Sequence, residues 1–263
     1  MRAHLIQLDI AWEDRAANHG RVRDLLGGVD LSAGDLIVLP ELFDVGFSLN
    51  LDAAIDARDE TRAFLIRLAH DTGCTVHGGR AVADPLDPGK ARNEACITAP
   101  DRDDPIGVYH KIHPFSYGRE PESYNGGDGL THYDWVSGDA ALRVCPAICY
   151  DLRFPELFRR GVRAGAEAFV LGANWPSARQ THWRALAIAR AIENQAWVLG
   201  VNRCGSDPHL DYLGGSIVVD PKGAVAGELG EEEGILSVAI DPAMVRSWRD
   251  TFPGLADIRI TEI

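Results

Sequence analysis

Between Asp35 and Pro40 the chain reads DLIVLP, four apolar residues in a row between polar and turn residues. A run that short and that uniformly apolar is a strand covered on both faces. The pattern returns at Glu167–Gly172, and further strand signals lie at 4–10, 74–83, 94–99, 106–115 and 141–148. Three more, at 197–201, 215–219 and 234–240, read as a second set. Helical periodicity separates them at Arg15–Leu26, Asp59–Thr72, from Pro155 onward and at Arg179–Gln195. So many covered strands exceed one comfortable open sheet. The expected fold is therefore α/β, with two packed sheets and helices outside, formed by residues 1–263 as a single domain. The tail from Pro242 to Ile263, with Trp248, Phe252 and Leu255, is too apolar for a free end and is expected to pack on a partner subunit or on the body.

Composition removes several function classes. A formal charge of −13, with arginines interleaved among acids, disfavours nucleic acid as a partner. The N-terminal apolar run turns acidic too soon for a signal peptide, so a cytoplasmic protein with no membrane association is expected. The five cysteines are odd in number and sit mostly inside strand-like runs, which argues against a disulfide framework. They lack metal-ligand spacing, and no phosphate loop, dinucleotide fingerprint or serine nucleophile motif occurs; no metal and no cofactor are expected.

Three residues carry chemistry. Cys149 falls where the strand 141–148 gives way to a helix opened by Pro155, a junction that projects a side chain beyond the sheet. A lone cysteine is more often a small buried hydrophobe, so its neighbours decide. Glu41 directly follows the buried DLIVLP strand, at the end of a sheet where sites form, and Phe43, Gly46 and Phe47 supply apolar surroundings able to tune its acidity. Lys111 lies within YHKIHPF in a chain whose 26 basic residues include lysine only at positions 90, 111 and 222; a lysine inside an apolar strand points to a compact charge donor. His110 and His113 beside it are assigned packing or hydrogen-bonding roles. A carboxylate, an ammonium and a thiol are complementary: the first takes the thiol proton, the second stabilises an oxyanion, the third attacks a carbonyl. A lysine-flanked thiol should carry more thiolate than the other four cysteines.

LPELFDVGFS around Glu41, YHKIHPF around Lys111 and CYDLRFPELFRR from Cys149, in that order, resemble the nitrilase superfamily of carbon–nitrogen hydrolases. The resemblance continues through ANWPSARQTHWRALAIARAIENQ and VNRCG to GGSIVVDPKG. It implies a four-layer αββα sandwich of two mixed sheets, a Glu41–Lys111–Cys149 triad, no cofactor, and homodimers or larger assemblies. It also implies an oxyanion contact from the Tyr150 backbone and a supporting acid placed at Glu120 by its spacing to Gly127-Asp128, with Glu122 the runner-up; Arg119 is expected to orient that acid. The run from Trp175 to Gln195 is most similar to the omega-amidase branch, which hydrolyses small carboxylate-bearing amides such as 2-oxoglutaramate or succinamate, releasing ammonia through a thioester. Phe43, Arg153, Asn174, Trp175, Arg179 and His182 are the candidate substrate contacts. The alternatives are N-carbamoyl hydrolysis, nitrile hydrolysis, acyl transfer to an amine, or a catalytically silent binding subunit.

Overall fold

The computed structural model describes residues 1–260. In chain order the first half runs β1 (Arg2–Gln7), α1 (Arg15–Leu26), β2 (Leu36–Val38), α2 (Leu51–Ala54), α3 (Glu60–Thr72), β3 (Thr75–Ala83), β4 (Ala91–Thr98) and β5 (Gly107–His110). After it come α4 (Glu120–Ser123), β6 (Tyr124–Asn125), β7 (Tyr133–Ser137), β8 (Ala140–Ile148), α5 (Pro155–Arg163), β9 (Ala168–Ala173) and α6 (Gln180–Asn194). The rest comprises β10 (Trp197–Asn202), β11 (Cys204–Ser206), β12 (Asp211–Leu213), β13 (Ile217–Val219), β14 (Val225–Glu228), β15 (Gly234–Ala239) and α7 (Pro242–Thr251).

Two mixed sheets form. One has the order β15-β1-β2-β3-β4-β5, with β6 beside β4; the other has the order β14-β13-β10-β9-β8-β7. Each has three parallel strands at its centre, β1, β2 and β3 in the first and β8, β9 and β10 in the second, flanked by antiparallel strands. The strand 234–240 therefore closes the first sheet against β1, a correction to its expected place in the second set. A strand separated from β1 by most of the chain gives no local signal of which edge it will join. The strand read over 106–115 shrinks to four residues, because the Pro114 ring has no N–H for a ladder and Lys111 already donates its N–H to the Asn93 carbonyl beyond the regular pairing.

Burial explains the layers. Ala3 and Leu5 of β1 pack with Leu36 and Val38 into a core shared with Val144 and Val170 of the other sheet. Ile6, from the opposite face of β1, packs with Val22, Phe64, Leu65 and Leu68 beneath α1 and α3. Trp183 and Ala187 of α6, with Leu157 and Phe158 of α5, cover the second sheet. The result is helix, sheet, sheet, helix. In α7, Val245 is buried and Arg249 donates to the carbonyls of Gln195, Ala166 and Asn194, so this part of the tail packs on the body; 261–263 lie outside the described residues.

Candidate active site

Glu41 sits in a tight turn just after β2, wedged between the two sheets. A Cβ on Gly79 of β3 would come within 2.6 Å of the Leu42 nitrogen, and one on Gly172 of β9 within 2.6 Å of the Glu41 nitrogen. One glycine from each sheet thus leaves the room the turn needs. Leu42 takes a positive φ of 44°, which turns the chain back and aims the Glu41 carboxylate inward.

Lys111 lies just past β5 and its Nζ donates to Glu41 Oε1 at 2.8 Å and to Glu120 Oε2 at 2.8 Å. Glu120 is reached because the loop after Phe115 is ordered: a 3-10 turn at Ser116–Gly118, Arg119 in the left-handed region, then α4. That register buries Glu120 completely and turns Glu122 outward, where it pairs with Arg119 at 2.6 Å. Arg119 therefore holds Glu122, not Glu120 as expected; side chains three apart on a helical turn meet, adjacent ones do not. Asn93, which the sequence reading did not single out, donates one side-chain amide to both Glu41 Oε1 (2.9 Å) and Glu120 Oε1 (3.1 Å). An asparagine between Arg92 and Glu94 on a strand looks like an exposed edge residue; only the pairing of β4 with β5 brings it under Lys111.

Cys149 follows the last residue of β8 with φ 44° and opens a 3-10 turn through Arg153. Its thiol lies in the field of the Glu41 carboxylate and the Lys111 ammonium. Glu41 Oε2 accepts from the Asn174 N–H at 2.9 Å, and the Asn174 side chain donates to the Glu41 carbonyl at 2.6 Å. Asn174, a candidate substrate contact, thus secures Glu41, although it also lines the cavity.

The electrostatics follow from complete burial. Burial pushes the Glu41 carboxyl up, but the Lys111 charge and the hydrogen bonds from Lys111, Asn174 and Asn93 outweigh it and hold Glu41 below the ordinary carboxylate range. Burial disfavours the Lys111 ammonium, yet Glu120 and Glu41 raise its pKa well above normal. Burial, aided by the Glu41 charge, pushes Glu120 up; even so, every partner of its oxygens, Asn93, Lys111 and the Phe115 N–H, is a donor, so the geometry fits the carboxylate. Burial and the neighbouring Glu41 push the Cys149 thiol well above its usual value. Burial and Glu41 thus work against the expectation that Cys149 carries more thiolate than the other cysteines, and favour the thiol beside a base.

A cavity of about 740 Å³ opens over Cys149, Lys111 and Asn174, walled by Phe47, Phe115, Tyr150, Trp175 and Tyr212. Arg153 and Arg179 face it. The Arg153 guanidinium lies 4.7 Å from the Trp175 ring centre, Arg179 lies 5.3 Å from that of Phe115, and neither has a carboxylate partner among the described residues. His182 stands behind Arg153 at 3.3 Å and does not line the cavity. Phe43 does not either: it is fully buried against His19 and Phe64 beneath the helices, because the turn at Leu42 sends it outward from the sheets while Phe47 takes the cavity wall. Trp12 and Tyr212 are further wall residues without a sequence signal. Among the described residues no cluster of His, Cys, Asp or Glu is arranged for a metal ion, and no helix is long and apolar enough to cross a membrane.

Residues 2–250 match the family model described as carbon-nitrogen hydrolase. This chain is a member of the nitrilase superfamily. It is 32% identical to the omega-amidase YafV of Escherichia coli over 98% of this chain and 96% of that one. Against the 2-oxoglutaramate amidase of Bacillus subtilis the identity is 36%, covering 86% of this chain and 85% of the relative. A crystal structure of a CN-hydrolase superfamily protein from Xanthomonas campestris superposes with a TM-score of 0.89 at 32% identity, covering 100% of this chain and 98% of that one. The family match together with the amidase-named relatives shows the chain to be a carbon–nitrogen hydrolase that acts on amides, of the omega-amidase-like branch.

Proposed function

We propose that this enzyme hydrolyses the terminal amide of short dicarboxylic monoamides, of which 2-oxoglutaramate and succinamate are the type substrates. The observation that carries the reading is the pair Arg153 and Arg179, two cations facing the cavity over Cys149 with aromatic rings, not acids, as their neighbours. In a chain of formal charge −13, an arginine left without a carboxylate beside a nucleophile is a seat for an anion. Burial, together with the Arg179 charge, holds the Arg153 guanidinium below its ordinary pKa, and a bound carboxylate would relieve that repulsion. The names of the Escherichia coli and Bacillus subtilis relatives agree with this substrate class.

In the proposed mechanism Glu41 accepts the Cys149 proton as the sulfur attacks the amide carbon, forming the C–S bond. The oxyanion is held by the Lys111 ammonium and the Tyr150 N–H. Collapse breaks the C–N bond, and Glu41 returns its proton to the departing nitrogen, which leaves as ammonia. Glu41 then takes a proton from water as the hydroxide adds to the thioester; the C–S bond breaks, the carboxylic acid departs and Cys149 regains its proton. Glu120 keeps Lys111 charged and fixed throughout. Ammonia release from 2-oxoglutaramate, succinamate and a neutral amide of equal length tests the reading: the carboxylates should react faster, and equal rates, or reaction only with nitriles or N-carbamoyl compounds, would overturn it.

A further inference from the structure

Asp151 is fully buried two residues beyond Cys149, and both of its oxygens are fully used. Oδ2 accepts from the Tyr109 hydroxyl at 2.7 Å and from the Ile148 N–H at 3.0 Å. Oδ1 accepts from the His113 N–H at 3.0 Å and from His113 Nδ1 at 2.8 Å. Tyr109 and His113 bracket Lys111, two residues away on either side. Ile148 and Asp151 bracket Cys149. One carboxylate therefore clasps the chain on both sides of the lysine and on both sides of the cysteine, although the two come from different sheets.

We propose that Asp151 is a positioning residue that sets the separation and register of Lys111 and Cys149, and so places the oxyanion donor over the atom the sulfur attacks. The proposal rests on the catalytic roles given to those two residues above. The chemistry of the donors explains why an acid stands here. Two of the four are backbone N–H groups that cannot reverse, so an amide nitrogen in place of either oxygen would face a donor with a donor. Because Asp151 offers only acceptors, His113 carries its proton on Nδ1, and its ring, stacked 3.8 Å from that of Phe154, ties the next turn to the same point. A displacement of about 1 Å between reacting groups can cost ~10²-fold in rate, so a clasp of this kind acts on turnover far more than on substrate affinity.

The test compares Asp151→Asn and His113→Phe with the parent enzyme. Three quantities are measured: turnover and KM for succinamate, the rate at which iodoacetamide alkylates Cys149 as followed by mass spectrometry, and thermal unfolding. Asp151→Asn is expected to lose ~10²-fold in turnover with KM within about twofold. His113→Phe, which keeps the stacking and loses one of four bonds, should lose roughly a tenth as much. Both should also show altered alkylation at temperatures where they are fully folded. A purely structural role would lower the melting temperature while leaving turnover per folded molecule unchanged, and that result overturns the proposal. If Asp151→Asn does not fold, His113→Phe decides: parental turnover and alkylation would overturn the clasp. Absence of ammonia from the parent itself, with alkylation still altered in the variants, would sink the substrate assignment and leave the clasp standing.

Discussion

The floor of the site and its mouth are built on opposite plans. On the floor, Glu41, Lys111, Glu120, Asn93 and Asp151 are buried, and their charges meet opposite charges or directed donors within 2.7–3.1 Å. At the mouth, Arg153 and Arg179 lie over aromatic rings, and Tyr117 is 83% exposed. Buried charges without partners are costly, so the floor tolerates almost no change. The mouth is partly solvated, and a change there costs little in folding. The difference teaches that the reaction type is written into the floor and the choice of substrate into the mouth.

Removing the nucleophile should have the largest effect and should look the same for every substrate. Cys149→Ala is expected to abolish ammonia release, a loss of at least ~10⁴-fold. Among the five cysteines, alkylation should inactivate only at Cys149. The cause is access: Cys149 lines the cavity, whereas burial pushes Cys96, Cys145 and Cys204 up to about 12. Peptide mapping after limited iodoacetamide treatment checks this, and inactivation tracking Cys145 or Cys204 would break it. Because the Cys149 thiol is itself held well above its usual pKa, its alkylation should keep accelerating as pH rises through 8 and 9. A plateau below pH 7 would mean a thiolate at rest.

The boundary between floor and mouth runs between two glutamates separated by Pro121. Glu120→Gln replaces an oxygen that accepts from Lys111 with an amide that cannot, and turnover should fall ~10²-fold. Glu122 is exposed, and its carboxyl is held below the ordinary range only by the surface Arg119, so Glu122→Gln should leave turnover within about twofold and stability nearly unchanged. Both are compared by turnover at matched thermal stability. A crippled Glu122→Gln would place the boundary elsewhere.

What the sequence reveals follows the same division. The buried strands, the helices between them and the three motif residues are legible because strand ends in an α/β fold point to a site and because apolar runs have a clear period. The spacing to Gly127-Asp128 favoured Glu120, which the structure buries beside Lys111. Asn93 and Asp151 are not legible, since their roles arise from pairing across β4 and β5 and from contact between the two sheets. Phe43 misled for the reverse reason. It and Phe47 have the same composition signal, and a single positive φ at Leu42 decides which one reaches the cavity. Wall residues Trp12 and Tyr212 come from distant segments with no shared motif.

The smallest effect, and the sharpest test of the contrast, is expected at the mouth. Arg153→Met and Arg179→Met retain an apolar stem against the rings of Trp175 and Phe115 while removing the charge. A charge-assisted hydrogen bond is worth roughly 1.5–3 kcal/mol when desolvated, and both arginines are only partly buried, so about a tenfold loss of kcat/KM for a carboxylate-bearing amide is the scale to expect from either. The loss should fall on KM, because the anion is already bound in the ground state and its charge does not change as the distant amide reacts. A neutral amide of equal length makes no use of either cation, so its kcat/KM should stay within about twofold, and the preference for the charged substrate should shrink accordingly. The two substitutions should also be more than additive. The Arg179 charge adds to the burial that disfavours the Arg153 charge, so removing either one alone relieves repulsion that the anion otherwise has to offset, and the double substitution should lose more than the two single losses together. If both variants instead lose turnover equally on charged and neutral amides, the mouth is part of the catalytic floor and the division drawn between them fails.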